Sequence, residues 1–310
     1  MRLDRPIHQW LAFTANEYLD PLFKSIIADQ VERSVAMGAA ATSYSDVLGE
    51  SGGERARLID QARALEPEAA ALLDEVGVGP GWRAADVGCG PIGVLDLLSE
   101  RVGPGGEVVG IDEVDRFVQM ADGLVRDRGL ANVRVVRADA REPGLPAGSF
   151  DLVHERLVLI GPDRGKIAAA MVGLARPGGV VAAQEVDITS SFCEPSSPAC
   201  ERLLAVFLAA TRRIGAEPGI GRRLGRVLAD AGATDVRLEV RSRLEEPGSA
   251  RRMQLPALVR HAREGIVRGG ILSSAELDGL VGESLAHHAD PTTLVFGGLL
   301  FQAWGRRPAV

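Results

Sequence analysis

The segment AADVGCGPIG, in the first third of the chain, combines glycines with an acidic residue. Gly88, Gly90 and Gly93 give the spacing G-x-G-x-x-G after an apolar run, and glycines at such a turn let a ligand approach the backbone closely. A helix that follows the turn would direct its N–H groups at the ligand, which suits the pyrophosphate of a dinucleotide. Pro91 removes one of these donors, and Asp86 places a negative charge beside the loop. The segment therefore favours a positively charged ligand over a diphosphate.

The elements around this loop follow a regular order. Between residues 82 and 185, short apolar runs alternate with helical patterns, which is typical of strand–helix–strand units in a parallel sheet. Strands are predicted over residues 83–88, 107–112, 133–138, 150–154 and, after a turn, up to 187, with helices near 92–102, 114–129 and 163–175. The later part of the chain is predicted to form helices over 199–215 and 221–231 and a strand over 234–243. Two helical stretches follow, and the second begins with a capping box from Ser273 to Glu276. A final strand is predicted over 293–304.

The motifs on these elements resemble those of one enzyme family. DVGCGPIG resembles the first motif of the class I S-adenosylmethionine-dependent methyltransferases, in which an acidic residue precedes a glycine loop. VVGIDEVD, VVRADARE, GSFDLVHERLVL and LARPGGVVAAQE resemble the later motifs in the same order, so that the resemblance covers residues 82–187. It implies a Rossmann-like, doubly wound α/β sheet of seven strands, mostly parallel with an antiparallel last strand. It also implies S-adenosylmethionine as the cofactor, a sulfonium compound without phosphate.

The resemblance assigns contacts to this cofactor residue by residue. Asp112 would bind both ribose hydroxyls, since a carboxylate offers two acceptor oxygens, and Asp139 would reach the adenine amino group. Ile92 stands where many relatives have a third glycine, a departure that leaves the backbone path of the loop open. The residues of this part of the chain expected at the cofactor are Asp86, Gly88, Cys89, Gly90, Asp112, Glu113, Asp139, Ala140 and Glu155.

The sequence before the first strand has a helical character. YSDVLGESGGERARLIDQA resembles the segment that precedes the domain in a large group of small-molecule methyltransferases, where a tyrosine and a helical Arg or Gln approach the methionine end of the cofactor. Tyr44, Arg57 and Gln61 would fill these roles, and the last two share a helix face because they are four residues apart. A solvated helix face explains the same pattern equally well. Residues 1–80 are predicted as a helical lid, and residues 81–310 as the cofactor-binding domain, with a helical insert at about 245–290.

The expected catalytic residues lie where the fourth and fifth strands end, the edge at which this fold addresses the transferable methyl group. His154 is the first candidate, because an unperturbed pKa of about 6.5 lets a histidine accept a proton near neutrality. Glu185 and Arg156 are the other candidates. A histidine that only forms hydrogen bonds to the neighbouring loop fits the sequence as well.

Composition and charge narrow the class of protein. The three cysteines are odd in number and lack C-x-x-C spacing, so the sequence predicts neither a disulfide framework nor a metal site. No apolar run reaches the roughly 18–20 residues of a membrane-spanning helix, and no signal peptide is evident, which predicts a cytoplasmic protein. The net charge is −7, and the arginines of the C-terminal part have few aromatic neighbours, which makes nucleic acid an unlikely partner.

The favoured function is therefore methylation of a small, largely apolar metabolite at oxygen, nitrogen or carbon, with oxygen slightly preferred, in bacterial secondary metabolism. Two alternatives stay open at this point. One is an enzyme that keeps the cofactor for a non-methylating reaction, such as a natural-product cyclase, and the other is a nucleic-acid methyltransferase. The oligomeric state is also open, with a homodimer as one option.

Overall fold

Two helices precede the first strand in the computed structural model, which describes residues 53–242 and 244–309. Helix α1 spans Gly53–Ala64 and helix α2 spans Glu66–Glu75. Pro67 lies in the first turn of α2, where its missing N–H removes no helical hydrogen bond. Tyr44 and the greater part of the expected lid lie outside the described residues.

The strands form one large and one small sheet. In chain order the strands are β1 (Arg83–Val87), β2 (Glu107–Asp112), β3 (Val133–Arg137), β4 (Phe150–Arg156), β5 (Ala175–Asp187), β6 (Phe192–Glu194), β7 (Thr234–Arg241), β8 (Leu244–Glu245), β9 (Leu294–Phe296) and β10 (Leu299–Arg306). The large sheet has seven strands in the order β3-β2-β1-β4-β5-β10-β7, and β10 is antiparallel to both of its neighbours. This arrangement confirms the predicted fold class. The strand order reverses between β1 and β4, the position at which such sheets bind ligands.

Helices cover both faces of the large sheet. The helices after α2 are α3 (Leu95–Val102), α4 (Asp115–Asp127), α5 (Arg164–Leu174), α6 (Pro198–Arg213), α7 (Leu224–Asp230), α8 (Gln254–His261), α9 (Arg263–Arg268) and α10 (Ser274–Ala289). Ala84, Leu152 and Val180 belong to the core shared with α2, α3 and α4, whereas Val153 and Val181 belong to the core shared with α5 and α7. Successive side chains of a strand point to opposite faces, so these strands are apolar on both sides.

A second, helical layer is built from α6, α8, α9 and α10. Its core contains Leu203 and Phe207 of α6 together with Val259, Ile266 and Leu277 of the later helices. The insert is helical as predicted, and the capping box at Ser273 is present. None of the helices among the described residues is both long and apolar enough to cross a membrane.

The predicted final strand over 293–304 is wrong in one respect, because the chain divides it into β9 and β10. Gly297 and Gly298 separate the two strands, and Gly298 has a φ of +110°, which L side chains rarely adopt. Strand β9 pairs with β6 and β8 in the small sheet, whereas β10 lies between β5 and β7 in the large one. The short strands β6 and β8, which the sequence did not predict, thus connect the second layer to the edge of the large sheet.

Candidate active site

A cavity of about 750 Å³ opens where the parallel strands of the large sheet end. One part of its wall consists of the glycine loop after β1 and of Asp112 and Asp139 after β2 and β3. Another part consists of apolar side chains from the second layer and the small sheet, namely Leu204, Leu255, Leu258, Val295 and Phe296. The volume lies within the roughly 300–1,000 Å³ that is usual for sites of small ligands.

The three glycines of the loop all have left-handed backbone conformations, but for different reasons. Their φ values are +69° for Gly88, +55° for Gly90 and +51° for Gly93. A Cβ atom at Gly88 would lie 2.4 Å from a methyl group of Val158, and one at Gly93 would lie 2.1 Å from Oδ2 of Asp86. A Cβ atom at Gly90 would meet no protein atom within 4 Å. Gly88 and Gly93 therefore pack the loop, while Gly90 brings the backbone to the cavity.

Asp86 lies almost fully buried at the base of this loop. Its Oδ2 atom accepts a hydrogen bond from the N–H of Val94 at 3.2 Å, and its Oδ1 atom lies 2.8 Å from Nδ1 of His154. Helix α3 begins only at Leu95, so the predicted start at residue 92 is too early and Pro91 lies in the turn before the helix. The carboxylate of Asp86 thus ties the end of β1 to the beginning of α3.

His154 does not form part of the cavity wall. It is in register with Asp86 on the neighbouring strand β4, it is 0% exposed, and its Nε2 atom lies 3.3 Å from Oε1 of Gln184. Both ring nitrogens therefore already have partners inside the sheet. This geometry suits the alternative in which His154 holds its neighbours in place, and its role as a base stays a prediction.

Asp112 lines the cavity and also holds the loop. Its Oδ2 atom accepts a hydrogen bond from the N–H of Gly90, and its Oδ1 atom accepts one from the N–H of Val114, both at 2.9 Å. Burial raises the pKa of Asp112 above its usual value. The two hydrogen bonds lower this pKa, but their effect is smaller than that of burial. Glu113, the next residue, lines the cavity as well.

Asp139 and Ala140 line a more exposed part of the wall. The carboxylate of Asp139 accepts hydrogen bonds from the backbone N–H and the guanidinium group of Arg141, at 2.6–3.0 Å. These bonds lower the pKa of Asp139. Arg141 also forms an ion pair with Asp163 at 3.0 Å, and both of these residues line the cavity. An adenine amino group at Asp139 would therefore share this carboxylate with Arg141.

The predicted neighbourhood of Arg57 and Gln61 on α1 is confirmed. Nη1 of Arg57 donates a hydrogen bond to Oε1 of Gln61 at 2.8 Å, and both residues line the cavity. Nε2 of Gln254, in the insert, donates to the same Gln61 oxygen at 3.2 Å. Helix α1 is thereby joined to the second layer across the cavity wall.

The remaining candidates at the ends of β4 and β5 differ in position. Arg156 lines the cavity and donates a hydrogen bond to the carbonyl of Gly93 at 3.0 Å. Glu185 lines the cavity too; its Oε1 atom accepts a hydrogen bond from the N–H of Ile160 at 2.8 Å, and its buried Oε2 atom has no hydrogen-bond partner. Burial raises the pKa of Glu185 well above its usual value, and the negative charge of Glu155 adds to the effect.

Glu155 is not among the residues of the cavity wall, so its expected contact with the cofactor stays a prediction. It lies on the opposite face of β4 from His154 and Arg156, because adjacent strand residues alternate. It is fully buried, and its Oε2 atom accepts a hydrogen bond from the N–H of Val158 at 2.9 Å. Burial raises the pKa of Glu155 to about 8.

Several cavity residues come from segments that carried no motif. His288 on α10 is 4% exposed, its Nδ1 atom has no hydrogen-bond partner, and burial lowers its pKa to about 4. The signal that could have found it is the buried stripe of α10, which continues from Leu277 through Val281 and Ser284 to His288. Cys193 and Cys200, to which the sequence analysis assigned no role, also line the cavity.

Comparison with known proteins accounts for the loop and the acidic residues. Residues 84–179 match the family model described as "Methyltransferase domain". Over these residues the chain is similar to methyltransferase domains. The match to this methyltransferase domain includes Asp112, Asp139 and His154, but it ends before Glu185 and the insert.

Individual relatives resemble only part of the chain. The nocamycin O-methyltransferase of Saccharothrix syringae is 44% identical over 116 residues, which are 37% of this chain and 41% of that protein. The aklanonic acid methyltransferase DauC of Streptomyces sp. (strain C5) is 37% identical over 103 residues, 33% of this chain and 47% of that protein. The chain spans about half the length of the curated relatives it matches.

Among solved structures, a putative sarcosine dimethylglycine methyltransferase from Galdieria sulphuraria aligns with a TM-score of 0.51 at 16% identity and covers 93% of this chain and 99% of that chain. A likeness at this identity concerns the fold alone. It agrees with the seven-stranded sheet described above.

The raised pKa of Glu155 predicts a pH dependence of stability. In the unfolded chain this carboxyl group ionises near its ordinary value of 4.5, whereas in the folded protein it stays protonated up to about pH 8. Its contribution to stability is therefore fully present below about pH 4.5 and is lost as the pH rises toward 8. The variant Glu155→Gln resembles the protonated form and removes this loss. Its free energy of unfolding relative to wild type should rise with pH, by up to about 1.4 kcal/mol per pH unit.

Urea denaturation of both proteins at several values from pH 5 to pH 8 measures this difference. Glu100→Gln, at an exposed position of α3, is the matched control and should follow the wild-type curve. A constant difference between Glu155→Gln and wild type over the whole range would contradict the prediction.

Proposed function

We propose that this protein transfers a methyl group from S-adenosylmethionine to a small, largely apolar metabolite. The observation that carries the proposal is a continuous cavity that has both a glycine loop with buried acidic residues and an apolar wall. The first part is suited to the cofactor and the second to the acceptor. A cytoplasmic location, a homodimer and a role in secondary metabolism stay predictions from the sequence.

The chemistry of the loop fits this cofactor better than a dinucleotide. Asp86 and Asp112 place two carboxyl groups beside Gly90, where the backbone reaches the cavity. Such groups repel a diphosphate, but they can accept hydrogen bonds from an amino group and from ribose hydroxyls. The cavity wall contains each expected cofactor residue that the structure describes except Glu155, namely Gln61, Asp86, Gly88, Cys89, Gly90, Asp112, Glu113, Asp139 and Ala140. When bound, S-adenosylmethionine supplies an electrophilic methyl group.

The apolar part of the wall supports a small organic acceptor. Phe192 and Phe296 have ring centroids 5.1 Å apart and both line the cavity, together with leucines of α6 and α8. Such a wall excludes water and can hold an acceptor atom at a fixed distance from the methyl group. The names of the relatives point the same way, since they include methyltransferases of nocamycin, of aklanonic acid and of demethylmenaquinone.

Glu185 is the residue we assign to proton transfer. It is the carboxyl group of the cavity wall whose Oε2 atom is buried without a partner. Burial raises its pKa well above the usual value, so that its carboxylate is a stronger base than that of an exposed glutamate. Arg156 holds the carbonyl of Gly93 and thereby the loop, and His154 holds Asp86, so both act as positioning residues.

Binding of the cofactor is the first test. Asp112→Ala should weaken the binding of S-adenosylmethionine and of its demethylated product about tenfold or more, because it removes hydrogen bonds to a charged group. Isothermal titration calorimetry measures both affinities, and Asp122→Ala on the outer part of α4 is the control. Equal affinity in the Asp112 variant, or tight binding of a nicotinamide dinucleotide by the wild type, would overturn the cofactor assignment.

The role of His154 is tested with a pair of variants. His154→Ala should weaken cofactor binding, because it leaves Asp86 buried without its partner. His154→Asn should restore much of the affinity and activity, since the amide N–H can take the place of the Nδ1 atom. A general base would behave differently: both variants would then lose about 10²- to 10⁴-fold in kcat while cofactor affinity stayed the same.

The transfer reaction is tested with methyl-labelled S-adenosylmethionine and a panel of hydroxylated quinones and other aromatic, largely apolar compounds. Labelled product should form together with an equal amount of demethylated cofactor. Glu185→Gln should lower kcat by about 10²- to 10⁴-fold while cofactor affinity is retained. Conversion of a panel compound without demethylated cofactor would instead identify a non-methylating enzyme, and a normal kcat in Glu185→Gln would remove this residue from the mechanism.

A further inference from the structure

A group of metal-binding side chains lies in the second layer beside the cavity. It consists of Cys193 on β6, Cys200 on α6 and His287 near the end of α10. One ligand atom from each residue, the two sulfur atoms and a ring nitrogen, lies within 4.8 Å of the other two. We propose that these three residues bind a borderline-soft divalent cation, for which zinc has the best-matched chemistry. This proposal goes beyond the proposed function and does not depend on it.

The distances are close to those of a coordinated ion. Zinc binds thiolate sulfur at about 2.3 Å and imidazole nitrogen at about 2.0–2.1 Å in a tetrahedral arrangement. Two such sulfur atoms are then about 3.8 Å apart. The observed limit of 4.8 Å therefore requires the sulfur atoms to approach each other by at most about 1 Å, and each sulfur to approach the nitrogen by at most about 1.3 Å, which side-chain rotations can supply.

The ligand types also select the metal. Two thiols and one imidazole are the donors that zinc prefers, whereas magnesium and calcium take oxygen ligands. Both cysteines are free and almost fully buried, so that bulk water has little access to the site. A disulfide between Cys193 and Cys200 would involve only the two sulfur atoms, whereas a cation would be bound by all three groups, including the imidazole of His287.

The histidine has a suitable second contact. Its Nε2 atom lies 2.8 Å from the carbonyl oxygen of Pro195. When Nε2 carries the proton of this hydrogen bond, Nδ1 is the ring nitrogen with a free lone pair. Histidines that bind metals usually donate their other N–H in this way, to a backbone carbonyl or a carboxylate, which fixes the tautomer and the ring orientation.

The ligands are held by regular elements. Cys193 is paired with Val295 across β6 and β9, and Val295 packs against both cysteines in a small apolar cluster. Helices α6 and α10, which carry Cys200 and His287, are in contact along the helical core. Three protein ligands leave a fourth position for water or for a group of the acceptor. Since both cysteines line the cavity, a cation here would lie in its wall.

Metal content and cobalt substitution test the proposal on the full chain, purified with a reductant and without chelators. Elemental analysis should find close to stoichiometric zinc. Addition of Co²⁺ to the zinc-depleted protein should produce a near-ultraviolet thiolate-to-cobalt band and the visible bands of a tetrahedral ion. Cys193→Ser, Cys200→Ser and His287→Gln should each lose more zinc affinity than the about 10–100-fold that changes around a metal ligand cause.

Two matched controls separate the site from general effects. Cys89→Ser changes the one cysteine outside the group, and His261→Gln changes a histidine of the neighbouring helix α8. Both should bind zinc and give the cobalt spectrum as the wild type does. His287 is half-buried at a helix end, so His287→Gln keeps the test valid if a cysteine variant fails to fold.

The proposal is overturned if the wild type contains no zinc and gives no cobalt spectrum after full reduction. It is also overturned if His287→Gln binds zinc as tightly as the wild type. A disulfide between the two cysteines that persists in the purified protein, with no uptake of either metal after its reduction, would show a redox pair in place of a metal site.

Discussion

The contact between Asp86 and His154 joins the two strands at which the order of the large sheet reverses. Asp86 is buried at the base of the glycine loop, and a buried carboxyl group needs partners to compensate for the loss of water. His154 supplies one partner and the N–H of Val94 supplies another. The path of the loop between Gly88 and Gly93 depends on this arrangement, because a side chain at Gly93 would collide with the Asp86 carboxylate. The open backbone at Gly90 is a consequence of it.

Strands β4 and β5 carry two glutamates on the opposite face of the sheet from His154. The pKa values of these two carboxyl groups are raised. Glu155 and Glu185 lie at the ends of β4 and β5, where each accepts a hydrogen bond from a backbone N–H, and burial together with neighbouring negative charges favours their protonated forms. Asp86 and Asp112 instead accept hydrogen bonds from the backbone of the loop. One edge of the sheet thus provides loop-holding carboxylates on one side and a carboxyl group of raised pKa at the cavity on the other.

The sequence allowed prediction of those features that depend only on residues close together in the chain. The glycine spacing, the acids at the ends of β2 and β3 and the alternation of strands and helices are all set by neighbours in the chain; the structure confirms the alternation and places the loop and the acids at the cavity. The role of His154 could not be decided in this way, because the sequence places it at a strand end but does not show that Asp86 lies beside it on the next strand. The divided last strand escaped prediction for a related reason: β9 is paired with β6 and β8, which are short and far away in the chain.

The cavity has one part built from motifs that are local in the sequence and another built from segments that are distant in the sequence. The family match ends at residue 179, and the walls beyond it come from Glu185, from the small sheet and from helices that pack through their own core. The glycine loop follows β1, which pairs with β2 and β4, and so belongs to the other part of the cavity. Cys193, Cys200 and His288 all belong to this second part, and their spacing in the sequence follows no pattern because three separate elements bring them to the cavity. The apolar wall of the cavity thus depends on packing between distant segments, whereas the glycine loop depends on residues that are close in the sequence.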